Sequence, residues 1–263
     1  MKPFPALCAL LAALCALPLA AADKKAASGK KDAAPGHLLY VNTVGDRGWS
    51  FFVMDGEDIR PSGIETGFRS SWVSYPAGKR SLQFEHQPLG LIDLEADLKT
   101  GGLHAFVVYS DFVGQEERRR PPRPVLAVKE LRCDLLVPPD RRKASHLVLL
   151  NLTHAPTLSI RVEGLTHEIS RLQETVVKPP RRSGMAEVDV LPSPGLPTVR
   201  PVEPTAEPRT DADTQEAGGP VHSLKLNLED AGNRFLIFYT DSQDSVQCLV
   251  FDDIGMYPDD SEE

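Results

Sequence analysis

The segment from Ile92 to Asp111 returns without a gap as His222 to Asp241, and a chain that repeats itself in this way is expected to fold as two related units. Leu94, Leu98, Gly102, Tyr109 and Asp111 fall on Leu224, Leu228, Gly232, Tyr239 and Asp241, while Phe106-Val107-Val108 falls on Leu236-Ile237-Phe238. The echo begins earlier, where His37-Leu38 and Asn42 meet His146-Leu147 and Asn151. After a slip of one residue Met54-Asp55-Gly56 meets Val162-Glu163-Gly164. Positions held in both copies are expected to serve the fold, and recognition to fall on what the copies do not share.

The unit being copied reads as β structure. Leu82 and Phe84 alternate with Gln83 and Glu85, and Ile92, Leu94, Ala96 and Leu98 with Asp93, Glu95 and Asp97. Period two places one face in a core and the other in water. Leu38 to Val41, Phe51 to Met54 and Phe106 to Tyr109 are apolar on both faces, as central strands or strands covered by a neighbouring domain would be. The pattern predicts strands near 37–43, 49–55, 69–75, 80–86, 91–98, 104–110 and 125–131, separated by turn residues at Gly45-Asp46, Asp55-Gly56, Pro76-Ala77-Gly78 and Gly101-Gly102. The second copy repeats the plan near 146–152, 157–163, 166–177, 185–191, 222–228, 234–240 and 246–254. The expected fold is all-β: two tandem antiparallel β-sandwich, Ig-like domains at 37–131 and 146–254, joined by a linker at 132–145. Prolines at 192, 194, 197, 201, 204, 208 and 220 mark residues 192–220 as a flexible insertion in the second domain.

Lys2, the apolar stretch from Phe4 to Leu19 and the small residues Ala20-Ala21-Ala22 follow the order of a secretory signal peptide, with cleavage expected after Ala22. Cys15 follows Leu14, where a lipidated cysteine would need a small residue. No later run approaches the length of a spanning helix, so no transmembrane segment is expected in the mature chain, and the compartment is periplasmic or extracellular. Residues 23–36 read as a disordered leader and 255–263 as an acidic tail. Cys133 and Cys248 remain after processing; an exported chain allows them to pair as a disulfide, with two free thiols as the alternative.

With 37 acidic against 29 basic residues, the charge balance argues against nucleic-acid binding, which needs a concentrated positive face. Positive charge is nevertheless clumped at Arg118, Arg119, Arg120 and Arg123, at Arg141, Arg142 and Lys143, and at Lys178, Arg181 and Arg182, each beside prolines. The arginines at 118, 119, 120, 123, 141 and 142 are the candidate partner surface, for an acidic protein or an anionic polysaccharide; solvated loop charge is the alternative.

Catalytic motifs are absent: there is no nucleophile elbow, no His-Glu-x-x-His, no phosphate loop and no dinucleotide fingerprint. His37 and His146 hold equivalent strand-end positions, and Asp111 and Asp241 equivalent ends of a buried strand, which favours structural roles for all four. Asp252-Asp253 and Asp259-Asp260 could attract calcium only with a fixed array of further oxygens. Trp49 and Trp72, with Tyr75 and Phe84, form a candidate platform for sugar rings, against which stands ordinary core packing. Asn151-Leu152-Thr153 is a glycosylation sequon, but it lies in a predicted strand. No catalytic residue, cofactor or metal is expected; the alternative is an unrecognised hydrolase or acyltransferase, for which a histidine at 37, 86, 104, 146, 154, 167 or 222 could supply a base.

Leu39-Tyr40-Val41-Asn42, Phe52-Val53-Met54-Asp55-Gly56, Val73-Ser74-Tyr75-Pro76-Ala77-Gly78 and Ala105-Phe106-Val107-Val108-Tyr109 together carry a family resemblance. They resemble secreted domain-of-unknown-function repeats with a strand, a Val-Asp-Gly turn, a Val-Pro-Ala-Gly turn and a Tyr-Thr-Val-Val strand. They are also similar to the AlgF-like family of periplasmic alginate O-acetylation proteins, which pairs two β-sandwich units. The resemblance covers 37–131 well and 146–254 more loosely, since the second copy has Lys178-Pro179-Pro180-Arg181 in place of the Pro-Ala-Gly turn. It implies a non-catalytic adaptor of an exopolysaccharide O-acetylation complex, bound to a membrane acyltransferase or a periplasmic acetyltransferase, and it carries over no catalytic residue.

Overall fold

Alternation of apolar and polar residues settles into strands almost everywhere in the computed structural model, which describes residues 34–46, 48–113, 123–135, 144–179, 184–194, 196, 220–228 and 232–252. The first half contains β1 (Gly36–Asn42), β2 (Trp49–Met54), β3 (Glu57–Asp58), β4 (Ile64–Glu65), β5 (Phe68–Arg69), β6 (Val73–Tyr75), β7 (Gly78–His86), β8 (Gly90–Leu98), β9 (Leu103–Val113) and β10 (Arg123–Leu131). The second contains β11 (His146–Asn151), β12 (Thr157–Val162), β13 (Leu165–Ser170), β14 (Glu174–Val177), β15 (Met185–Val190), β16 (His222–Asn227), β17 (Asn233–Thr240) and β18 (Val246–Asp252). A single 3-10 turn at Cys133–Leu135 is the helical content of the described residues.

These strands form four sheets with matching orders. In the first half an outer sheet runs β3-β2-β7-β8 and an inner sheet β10-β9-β1-β5, with β6 also on β1. In the second half the outer sheet runs β13-β12-β15-β16 and the inner sheet β14-β11-β17-β18. The duplicated sequence therefore meets a duplicated strand order, β1 answering to β11, β2 to β12, β7 to β15, β8 to β16, β9 to β17 and β10 to β18.

Three apolar layers separate the four sheets. Leu38, Tyr40, Phe106 and Val108 meet Phe52, Met54, Leu82 and Phe84 of the first outer sheet. Their strand neighbours Leu39, Val41, Ala105 and Val107 turn the other way, onto Val148, Leu150, Phe235 and Ile237 of the second inner sheet. Leu147, Leu149, Leu236 and Phe238 then meet Leu158, Ile160, Val162 and Val188 of the second outer sheet. Double-sided burial explains why 38–41 and 106–109 lack alternation: both faces of each strand are core. The described part of Ala34–Glu263 belongs to one compact unit, and polar contacts lock its two halves together. Arg171 donates to Asp111 at 2.8 Å and to the Thr153 carbonyl at 2.9 Å, Lys129 pairs with Glu174 at 3.3 Å, and the Arg69 guanidinium lies 5.7 Å from the Phe251 ring centre.

Three expectations are corrected. The sheets are not purely antiparallel, because β1 runs parallel to β9 and β11 parallel to β17. Parallel neighbours need a long crossover, and the outer-sheet strands between them supply it. The predicted strand 166–177 is two strands in different sheets, β13 and β14. The chain crosses at Arg171-Leu172-Gln173 with Leu172 at φ 63°, a conformation rare for leucine, which is held because its side chain packs into the layer between the halves. The predicted strand 69–75 is likewise interrupted, with both pieces on β1. At the break the Ser70 amide donates to the Tyr40 carbonyl at 2.8 Å, and its Oγ accepts from the Tyr40 amide at 2.9 Å.

Two local devices recur in both halves. Asp55-Gly56 and Glu163-Gly164 have positive φ at both residues (52° and 84°, 46° and 86°), the two-residue hairpin turn that matches strand twist and favours glycine at its second position. Asn42 and Asn151, each fully buried, close the loop after the first strand. Asn42 Nδ2 donates to the Gly48 and Ile64 carbonyls while Oδ1 accepts from Val44 N; Asn151 Nδ2 donates to the Ala155 and Ile169 carbonyls while Oδ1 accepts from Thr153 N. The sequon asparagine thus has its amide nitrogen committed in the core. Asn42→Ala and Asn151→Ala would each strand two carbonyls and an amide, so each is expected to cost about 2–4 kcal/mol of unfolding free energy. Urea unfolding of both variants checks this, and a cost at one position alone would contradict the equivalence of the two loops.

Candidate interaction surface

The outward face of the first outer sheet follows from strand alternation. With Phe52, Met54, Leu82, Phe84, Ile92, Leu94 and Ala96 turned inward, the outward set is Trp49, Phe51 and Val53 on β2, Lys79, Ser81, Gln83 and Glu85 on β7, and Leu91, Asp93, Glu95 and Asp97 on β8. Register arranges them in rows: Phe51, Glu85 and Leu91 lie across the sheet, as do Val53, Gln83 and Asp93. Glu65 stands opposite Trp49 and Asp58 opposite Val53. Trp49 and Leu91 are each 49% exposed, so exposed apolar side chains stand among the carboxylates at both sides of the sheet. Asp93 accepts a hydrogen bond from Gln83 Nε2 at 2.9 Å. Asp93, Glu95 and Asp97 share one strand face about 7 Å apart, where like charges repel; across the pair Lys79 stands opposite Asp97, while Glu95 and Asp93 face the neutral Ser81 and Gln83.

The matching face of the second half is built differently. Arg161 donates twice to Asp189 Oδ2, at 3.1 and 2.7 Å, and Ser223 Oγ donates to Asp189 Oδ1 at 2.6 Å. The Ser223 hydrogen bond and Arg161 together hold the Asp189 carboxyl below its ordinary range. Ser159 donates to Glu168 at 2.6 Å, and Lys225 stands opposite Glu187. One strand order thus supports a face whose charges are mostly paired in one half and a more strongly acidic, partly aromatic face in the other. The fold does not require the acidic face.

The remaining candidate residues fall in separate places. Trp72 does not join Trp49 in a platform: it packs against the layer between the halves, with its indole nitrogen buried. Tyr75 and Phe84 belong to the first half's core, Phe84 entirely buried. Arg123 is exposed at the start of β10, whereas Arg118, Arg119, Arg120, Arg141 and Arg142 lie outside the described residues. So do most of the proline-rich insertion and the acidic tail. Cys133 and Cys248 are unbonded. Cys133 packs into the layer between the halves, and Cys248 faces the opposite side of the second inner sheet, so the sheet itself separates them. Burial pushes the Cys133 thiol up to about 12 and raises that of Cys248 as well.

The duplicated polar residues serve the fold. Asp241 accepts from the amides of Gln243 and Ser245 and from Gln247 Nε2, the expected turn role. Asp111 departs from it: β9 continues past this residue, and its carboxylate takes Arg171 from the other half instead. His37 Nδ1 lies 3.1 Å from Ser74 Oγ, and His146 is buried at the equivalent position. Among the described residues no three His, Cys, Asp or Glu side chains converge as metal ligands.

One polar cluster was legible in the alternation and went unread. Ser50 and His86 occupy inward positions on β2 and β7 and face each other across the pair; both are fully buried. His86 Nε2 lies 3.0 Å from Asp46 Oδ1. The residue types are those of an acyl-transfer triad, but no substrate carbonyl can reach a serine closed to solvent. The chain matches no known family model and no curated protein sequence.

Two outcomes follow. In a Trp72→Phe protein, Trp49 is the remaining tryptophan, and at low salt its caesium-to-iodide quenching ratio is expected to exceed that of free N-acetyltryptophanamide several-fold, because carboxylates surround it. A ratio equal to that of the free amide would mean that the acidic field does not reach the indole. Native Cys133 and Cys248 are expected to resist maleimide and to react on unfolding, as mass spectrometry of the labelled mature chain reads directly.

Proposed function

We propose that this chain is an exported, non-catalytic binding protein that acts as an adaptor in cell-surface polysaccharide modification, in the manner of the AlgF-like alginate O-acetylation proteins it resembles. In this reading residues 1–22 direct export, the two halves are tandem Ig-like sandwiches, and residues 192–220 are a flexible insertion. The protein works in the periplasm or outside the cell. The observation that carries the proposal is the divergence of the two outer faces. Where one strand order is used twice, a face that keeps repelling carboxylates beside exposed Trp49 and Leu91 gives up stability that its twin retains. Selection for a partner accounts for that difference more simply than selection for folding does.

Opposite charges divide the recognition surface. The acidic face suits a basic protein segment, and the arginines at 118, 119, 120, 123, 141 and 142 suit an acidic protein or anionic polymer. A second reading, direct glycan binding, is favoured by the exposure of Trp49 alone, and the neighbouring Glu65 and Glu85 restrict it to neutral sugars.

Replacing Arg118, Arg119, Arg120, Arg141 and Arg142 by Glu is expected to weaken capture of the acetylation or export partner by tenfold or more with thermal stability nearly unchanged. Pull-down and calorimetric titration measure the first, and a melting curve the second; undiminished capture removes the arginines from the account. Titration with acetylated and unacetylated polysaccharide separates the readings, since a pure adaptor gives no heat.

A further inference from the structure

The two inner sheets end in two flanks that the duplication makes equivalent. On one flank the edge strands are β10 and β14, tied by Lys129 and Glu174 at 3.3 Å; on the other they are β18 and β5, where the Arg69 guanidinium lies 5.7 Å from the Phe251 ring centre. Register fixes which residues correspond. Glu130 stands opposite Phe106 as Val250 stands opposite Leu236, and Lys129 opposite Val107 as Leu249 opposite Ile237. Arg69 is paired with Val41 as Glu174 is with Leu150, so Phe68 answers to Gln173. The β10 flank therefore has Glu130, Lys129 and Gln173 where the β18 flank has Val250, Leu249 and Phe68. Phe68 is 59% exposed and Val250 38%.

An open edge strand offers unpaired backbone groups to any other strand, and such edges are blunted by proline, by charge or by a covering element. β10 has all three: Pro124, Lys129 and Glu130 lie on it, and β8 packs beside it. The outer edges β8 and β16 carry Asp93, Glu95 and Asp97, and Lys225. β18 is different. From Val246 to Phe251 it has no charge, no proline and no glycine, and it is rich in the residue types that favour strands. Its one charge, Asp252, stands at the end. Among the described residues no strand pairs with its free side.

We propose that the free edge of β18 is a self-association site, at which two copies of the chain pair their β18 strands antiparallel about a two-fold axis and join their second inner sheets into one. A second copy fits this edge because antiparallel pairing of a strand with itself uses one surface twice and closes on itself. Centred on Leu249, the pairing sets Leu249 against its own copy, Val250 against Cys248 and Phe251 against Gln247. It also leaves the two Asp252 carboxylates at opposite ends, where they do not repel. The added strand continues an interface that the molecule already has. Leu249 and Phe251 belong to the layer between the halves, and Val246 and Cys248 to the second core, so a strand beside β18 extends both layers. Because β5 lies on β18 through Arg69 and Phe251, the same axis carries the exposed Phe68 of each copy to the new interface.

Sedimentation of the full mature chain at rising concentration reads the association, and amide hydrogen exchange at residues 246–252 reads its place. The chain is expected to pass from monomer to dimer, with the β18 amides gaining protection as the dimer forms. Val250→Glu gives β18 the residue that β10 carries at the same register position, a place where the module already holds a carboxylate. The variant is expected to keep its melting curve, while the midpoint of association moves to at least tenfold higher concentration. Leu165→Glu, a change at an exposed leucine of β13, is expected to leave that midpoint where it is. A chain that stays monomeric, or a dimer that Val250→Glu leaves intact, would overturn the proposal. So would β18 amides protected to the same degree at every concentration, the result if residues 253–263 of the same chain cover the edge. Exchange in the native chain decides the matter even if Val250→Glu folds poorly.

Discussion

Burial of both faces of the inner sheets is the constraint from which the rest of this structure follows. β1, β9, β11 and β17 each send alternate residues into different apolar layers, so none of them can be moved, slipped or recharged without disturbing two cores at once. A one-residue slip in a half-exposed strand exposes one apolar row; in these strands it would exchange two cores whose partners differ. The parallel pairing of β1 with β9 and β11 with β17 belongs to the same constraint, because the most apolar strands of each half become adjacent only when the outer-sheet strands are looped out between them.

Much of this was legible in the residues. The duplication predicted a repeated strand order, and double-sided apolar runs predicted covered strands at 38–41 and 106–109. Phe51–Met54 was placed in the same class, yet on β2 only Phe52 and Met54 reach the core; Phe51 and Val53 are apolar residues on an outward face, which periodicity alone cannot distinguish from a second buried face. The crossing at Arg171-Leu172-Gln173 was illegible for another reason. Strand breaks are read from glycine and proline, and here a leucine adopts positive φ because the packing of its side chain between the halves outweighs its local preference.

The candidate sites were legible in a different proportion. Trp49 begins a strand beside the Gly45-Asp46 turn, where an edge is left open, while Trp72 was not readable as a residue of the seam, since nothing local reports what a neighbouring sheet will cover. The acidic face was visible letter by letter as Asp93, Glu95 and Asp97, but its meaning came only from comparison with Arg161, Asp189 and Ser223 at the corresponding place in the second half. His86 was visible too, at the third inward position after Leu82 and Phe84. A polar residue in phase with a core stripe is the signal, and reading histidines as catalytic candidates obscured it.

A duplicated module offers a control that single domains lack. Where both halves keep a feature, as with Asn42 and Asn151 or the Asp55-Gly56 and Glu163-Gly164 turns, its physical role is complete within the loop it closes. Where the halves differ, the strand order that both share does not by itself require the feature. The outward carboxylates and the sealed His86 cluster are both of this kind, and both lie in the first half, on opposite faces of one outer sheet.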